Sequence, residues 1–425
     1  MWKLPWKVFI GLFLIATAIG YLNSEWSNEL RERAVSPLEF KLRKSLSRGR
    51  EYSEKLKVLV FGDKAKREFG VQELIPIRQW ADFISQVAAR QPKAIIFDKM
   101  FTFSLGTQED IEYFNSTLAG LKTKVIAAGT FNDSAISEGV FDSQMLTSWS
   151  VESPDSIPKG RLSRFIGPAP NLRKSFFRIG GVQLSNAAAV YPAWIDLESE
   201  KMLPHLSLSY FENAIVQNDH VTLDDTTLFL DRYGRIPINF IDRGLAYTRF
   251  LPINSIFRLG WISPVLTKIN KNDVVLVLPS MYTGSTDFKN SPIGRISGGL
   301  YYASLINTVL LNNPIKPVFN GIFSNIILFI IIAYFVWLLS SKLSFTRSVL
   351  AITFLSIVIV VLGLVTFAYW NIQSDWHTYS FFAALWGSGL LTMRAAQEER
   401  NAQFAEVLLE GIVSKDVLKR IKHRP

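Results

Sequence analysis

Cysteine is absent from this chain of 425 residues, which rules out disulfides, thiolate zinc centres and cysteine-held iron–sulfur clusters. Histidine is scarce: His205, His220, His377 and His423 are the four present. Scattered as they are, they form neither a metal cluster nor a phosphoacceptor box, and they read as isolated polar surface residues. There is no P-loop, no kinase signature and no nucleophile-elbow glycine pattern. No cofactor is expected. The net charge is +10, from 46 Lys and Arg against 36 Asp and Glu. No zinc-finger or recognition-helix pattern accompanies that excess, so nucleic acid is not an expected partner. Basic surface near anionic lipid headgroups is the plainer reading.

Charge is also missing from three apolar runs near the C-terminus. Residues 318–339 and 349–370 contain no acid or base, and none lies between Asp375 and Arg394 around a third, shorter run at 378–393 that holds Gly387 and Gly389. A helix needs roughly 20 apolar residues to cross the hydrocarbon core, and core helices of soluble proteins rarely cluster this way. A fourth run, 8–22, follows Lys3 and Lys7. It reads as a cleaved signal peptide with Ala16-Thr17-Ala18 as the small-residue motif, or as an uncleaved anchor. The anchor is favoured because the run continues through Ile19, Tyr21 and Leu22. Lys and Arg mark the cytoplasmic side of short loops. Lys342 and Arg347 flank one loop, the tail carries Arg394, Lys415, Lys419, Arg420, Lys422 and Arg424, and the loop 371–377 has Asp375 but no base. The expected organisation is an anchor at 1–23, an extracytoplasmic domain at 24–316, three transmembrane helices at 317–393 and a cytoplasmic helical tail at 394–425. This is a multi-pass protein of the cell (inner) membrane with both termini cytoplasmic and the bilayer as its first partner.

The exported part reads as an α/β domain. Residues 25–50 form a polar helix, broken or restarted at Pro37, that serves as a stalk. Strands are expected at 57–61 (KVLVF), 94–97 (AIIF), 124–128 (KVIAA) and 273–278 (DVVLVL). Helices are marked by Trp80, Phe83, Ile84, Val87 and Ala88, and by Ile111, Phe114, Leu118 and Leu121. Alternation of this length implies a parallel sheet with right-handed crossovers. Residues 165–260 read as a β-rich insertion of hairpins with turns at Tyr233-Gly234 and Asp242-Arg243-Gly244. Ligands of open α/β sheets bind beyond the carboxyl ends of the strands. Those ends here are Gly62-Asp63, Asp98-Lys99 and 280–287 (SMYTGSTD). The candidate ligand-sensing crevice is therefore Asp63, Arg78, Asp98, Ser280, Thr283 and Asp287. Helix capping and pairing with nearby lysines is the competing account of each acid.

Several segments occur together in an order with a precedent. They are KVLVFGD, Pro76-Ile77-Arg78, AIIFDKMF, Gly167-Pro168-Ala169-Pro170, Gly180-Gly181-Val182, the segment 202–208, RYGRIPINF at 232–240, Ser291-Pro292-Ile293-Gly294 and the stretch 298–307. With the clustered apolar runs, this order resembles the second type of CHASE domain, an extracellular sensory module of membrane cyclases and histidine kinases. Where that family usually carries further acids after its first strand, this chain has Lys64, Lys66 and Arg67. The resemblance implies a sensor that binds an unknown extracytoplasmic ligand, pairs as a homodimer and signals to a cytoplasmic cyclase or kinase partner. The small residues Ala383, Ala384, Gly387, Ser388 and Gly389 would permit close helix packing. No catalytic cyclase or kinase domain is read in the chain, so it is not expected to be an enzyme. The alternatives are a membrane-anchored envelope enzyme using Asp63, Asp98 and Asp287, or an envelope structural protein. A transporter is disfavoured because the apolar runs hold no charge.

Overall fold

The structure, a computed structural model, describes residues 15–21, 24–49, 51–102, 105–131, 149–151, 158–160, 165–182, 188–196, 201–279, 281, 287–318 and 321–412. The chain divides into two compact units. One is Leu30–Val318 with Thr366–Gln373; the other is Met1–Glu29, Phe319–Val365 and Ser374–Pro425.

The first unit is built on a seven-stranded sheet. Its strands are β1 (Leu56–Val60), β2 (Ala94–Phe97), β3 (Lys124–Phe131), β4 (Phe165–Ile166), β5 (Arg178–Gly181), β6 (Leu251–Pro252) and β7 (Val274–Leu278). The order is β6-β1-β7-β2-β3-β4, with β5 also on β3. All pairings are parallel except β3 with β4. The run VVLVL of β7 is buried at every position, as parallel strands covered on both faces require.

Alternation sends the side chains to two separate cores. Val58, Ile96, Leu276 and Leu278 point to one face, where Tyr301, Tyr302 and Leu305 pack. Leu59, Ile95, Phe97, Val275 and Val277 point to the other, where Trp80, Phe83, Phe101 and Phe114 pack. Helix α1 (Glu25–Leu30) lies mostly in the other unit, and the helices of this unit include α2 (Ser36–Ser45), α3 (Asp63–Phe69), α4 (Ile77–Ala88), α5 (Gln108–Ala119) and α6 (Gly298–Leu311). Pro76 occupies the position before α4, without a capping hydrogen bond, and Thr107 with Asp110 forms a capping box on α5. A hairpin of β8 (Phe288–Ser291) and β9 (Gly294–Ser297) leads into α6.

Four sequence expectations change here. The helix at 25–45 is not broken at Pro37. A π-helical turn, Arg31–Val35, lets the Ser36 N–H reach the Arg31 carbonyl, and Pro37 then sits in the first turn of α2, where a missing N–H costs nothing. Nor is α2 a bare stalk: Val35, Glu39, Phe40 and Arg43 are buried, and Phe40 meets Phe240 edge-to-face at 5.7 Å. The region 165–260 is not a separate insertion, since it donates β4, β5 and β6 to the main sheet. Its other described strands form small sheets around Ala193–Asp196 and His220–Leu223 and a two-stranded sheet of Ala189–Val190 with Ile236–Pro237. Asp242-Arg243-Gly244 is no hairpin turn, because Asp242 caps a short helix, Arg243–Arg249, by accepting from Leu245 N–H.

Strands β10 (Lys316–Pro317) and β11 (Ile372–Gln373) pair in parallel. Between them in the sequence run α7 (Ile322–Lys342) and α8 (Phe345–Trp370), and α9 (Trp376–Ile412) follows. Among the described residues, α7 and α8 are long and apolar enough to cross a membrane. The expected third run and the start of the tail are one uninterrupted helix, α9. Most of the 8–22 run lies outside the described residues, as does the tail beyond 412; residues 15–21 are helical. Within the second unit, Tyr379 donates to Asn325 at 2.7 Å and Trp386 Nε1 to the Ala333 carbonyl at 3.1 Å. A Cβ at Gly387 would lie 2.6 Å from Ile352 Cγ2, so this small residue serves packing within the chain.

Candidate functional site

Because β7 lies between β1 and β2, the three carboxyl ends named from sequence meet along one edge of the sheet. Phe61 N–H donates to Leu278 O at 2.9 Å, and Asp98 N–H to Val277 O at 3.0 Å. Past these points the chain can no longer continue the ladder, and side chains carry the polar chemistry.

Asp98 follows the buried Phe97 and turns to the α6 face, where it remains half-buried. Burial, and then the nearby charge of Asp287, pushes its carboxyl up to about 8. Asp287 is itself raised by burial, with Lys289 and a backbone hydrogen bond from Gly298 pulling the other way. Asp287 stands at the entry to the β8–β9 hairpin, and its carbonyl accepts from Gly298 N–H at 2.8 Å. A Cβ at Gly298 would come within 2.6 Å of Asp287 Oδ2, so the glycine is what admits the carboxyl against the first turn of α6.

Tyr302, one turn into α6, donates its hydroxyl to Val182 O at 2.9 Å. Burial and then the charges of Asp98 and Asp287 raise it well above its ordinary value. His205 lies 5.7 Å from the Tyr302 ring and 6.3 Å from that of Trp194, with 1% of its surface exposed. Its Nδ1 accepts from Ser207 N–H at 3.3 Å, which places the proton on Nε2. That Nε2 has no acceptor among the described residues, and burial lowers the ring to about 3. The Ser297 hydroxyl, at the N-cap of α6, is also buried without a hydrogen-bond partner among the described residues.

The six sequence candidates do not share one fate. Asp98 lies within range of the charge of Asp287. Asp63 is exposed in the first turn of α3, and the Asp98 carboxyl is shifted by burial and by Asp287. Arg78 pairs with Asp110 at 3.4 Å and lies over the Tyr113 ring at 4.6 Å. Ser280 and Thr283 lie outside the described residues. His205 is a core residue rather than the surface residue expected of it. Its neighbours Leu203, Leu206 and Leu208, buried in the same segment, were the signal for that.

Lys99 turns to the opposite face. It donates to Gln72 Oε1 at 2.9 Å and lies 5.7 Å from the Trp80 ring. Burial lowers it to about 8, against the pull of Glu73. The edge thus offers an acid that keeps its proton near neutrality and, behind it, a base that sheds one easily. No group of three or more metal-ligating side chains occurs among the described residues. A proton, or a ligand that donates hydrogen bonds to carboxyls, is what the Asp98–Asp287 pair suits.

A family model described as CHASE2 domain matches residues 12–340, well over half of the chain. No curated protein and no solved structure matches it.

Proposed function

The chain belongs to the CHASE2 domain family, an extracellular sensory-domain family, and from that premise we propose that it is an integral-membrane sensor. In this reading the α/β unit lies outside the cytoplasm, its stimulus acts at the Asp98–Asp287 edge, and apolar helices carry the response to a cytoplasmic partner. One observation carries the reading. The outer end of α8 and the strand that follows it, Thr366–Gln373, fold as part of the α/β unit. Lys316 N–H donates to Asn371 O and Val318 N–H to Gln373 O, each at 2.8 Å. Phe367 is fully buried there, 5.2 Å from Phe40. A change of state in the unit is therefore felt directly by the segment that joins α8 to α9. A stimulus shifts that segment by as much as it favours one state over the other.

Four spans, with both termini cytoplasmic, complete the proposal, and a cyclase or kinase working with a paired copy of this chain is the proposed output. Reporter fusions at residues 150, 344 and 400 test it. The first should face outward and the other two the cytosol. A cytosolic reporter at 150 would remove the sensor reading. A second reading, an anchored envelope enzyme, draws on the same carboxyl pair, since a protonated acid beside a second carboxyl suits general acid–base work. Asp98→Asn would then abolish a turnover; a sensor would lose only its response.

A further inference from the structure

Where α2 ends, the surface opens into a cleft of about 320 Å³, at the lower end of the roughly 300–1,000 Å³ usual for small-molecule pockets. Its floor is apolar, formed by Phe40 and Phe240. Its walls carry Lys41, Arg43, Arg48 and Arg243. Asp242 is the acid in the lining, and it is already engaged: Lys44 Nζ meets it at 2.8 Å and it caps the Arg243–Arg249 helix. Four cations therefore face the cleft without a carboxylate in its lining to answer them.

Arg43 is the most constrained of these, with 5% of its surface exposed. Its Nη1 donates to Asn239 Oδ1 at 2.7 Å, but its Nε has no acceptor among the described residues. Gly49, at φ +69°, brings the following turn over the guanidinium, where a Cβ would lie 2.5 Å from Nε. Burial lowers Arg43 to about 10, with Glu51 as the opposing charge. A buried guanidinium with unmet hydrogen-bonding capacity is costly unless an anion compensates it.

The neighbours on the other side give the location. Arg43 lies 5.9 Å from the Phe367 ring and Arg48 5.0 Å from that of Tyr369. Both rings belong to the last turns of α8, a 26-residue apolar helix. Tyr369 and the adjacent Trp370 are exposed at that end, and Tyr and Trp at the end of such a helix sit at headgroup level, which is where phosphate is concentrated. We propose that this cleft binds an anionic phosphate group, carried on a phospholipid headgroup or on a free phosphate compound, with Arg43 as its buried anchor. The guanidinium fork fits phosphate oxygens, and the Phe40–Phe240 floor takes the apolar part of the carrier. Such binding holds whether or not the unit signals, so it stands apart from the sensor reading.

The test uses the full chain in neutral detergent micelles. Phosphatidylglycerol or phosphatidylcholine is added and retention is read by native mass spectrometry; inorganic phosphate is titrated separately by calorimetry. The variant Lys41→Ser/Arg48→Ser/Arg243→Ser removes three exposed cations of the cleft. A control, Lys64→Ser/Arg67→Ser/Arg90→Ser, removes the same charge elsewhere. Phosphatidylglycerol should be retained over phosphatidylcholine. The cleft variant should lose affinity by about fivefold per cation, roughly a hundredfold in all, and the control should keep it. Retention of the lipid without heat from phosphate assigns a headgroup; phosphate heat without lipid preference assigns a soluble compound. Absence of both, or equal loss in the control, overturns the proposal.

Discussion

A carboxyl that keeps its proton to about pH 8 makes folding depend on pH, and the direction follows from which state holds the proton. Below pH 4 Asp98 is protonated folded or unfolded. Between pH 4 and 8 the unfolded chain releases that proton and the folded one does not, so stability falls as pH rises through this window. Asp98→Asn should flatten the alkaline limb of the thermal midpoint of the full chain in detergent. A tenfold change in proton affinity is worth about 1.4 kcal/mol, so a gain of about 1–3 kcal/mol at pH 8 is expected. If the limb survives in the variant, the Asp98 assignment is wrong. His205 acts in the opposite sense. Its folded value is depressed to about 3, so stability is lost as pH falls below about 6.5, the ordinary histidine value. His205→Phe should flatten the acid limb and leave the alkaline one. Asp98 was legible in the sequence because it ends an apolar strand, and Asp287 because its segment follows the apolar run of β7. Their meeting in one crevice was expected from the strand ends; how they meet was not legible, since it depends on Gly298 admitting Asp287 and on which face Asp98 turns to. Arg78 misled for a similar reason: an exposed arginine at a helix start goes to the nearest well-placed acid, here Asp110 on the neighbouring helix.

At the scale of elements, the four strands expected from apolar runs at 57–61, 94–97, 124–128 and 273–278 are present within a few residues of those bounds. Their order was hidden, because β7 is far from β1 and β2 in sequence and pairs with both. Short strands such as β10 and β11, two residues each, have no periodicity to read, yet they join α8 to the α/β unit. Phe367 stood within an unbroken apolar run, where nothing distinguishes a core side chain from one facing lipid. The structure separates them: Phe367 is fully buried between Phe40 and Arg43, whereas Phe354 is 68% exposed. Phe367→Ala should destabilise the α/β unit by about 3–5 kcal/mol, the usual cost of deleting a buried aromatic. Phe354→Ala should change its stability by no more than about 0.5 kcal/mol, as surface changes do. Equal effects would mean that the end of α8 is not part of the unit's core.

For the molecule as a whole, the absence of cysteine becomes an experimental advantage, because any introduced pair is the sole route to a disulfide. Lys316 and Ile372 are register partners in the β10–β11 pair. Neighbouring strands lie about 4.8 Å apart, inside the Cα separation of about 4.4–6.8 Å that a disulfide spans. Lys316→Cys/Ile372→Cys should therefore oxidise readily in membranes and fix the α8–α9 connection to the α/β unit. If that pairing carries the signal, a change from pH 5.5 to 8, which alters the Asp98 proton, should change hydrogen-exchange protection in 394–412 of the reduced chain, after division by the intrinsic exchange rate at each pH. Oxidation should suppress that change, because the segment is then held in one of its two arrangements. Exchange that responds to pH equally in the reduced and oxidised chains would show that the response bypasses β10–β11. No response in either form would remove the Asp98–Asp287 edge as the input while leaving the strand pairing intact. The two outcomes thus fail at different places, one at the connection and one at the sensing edge.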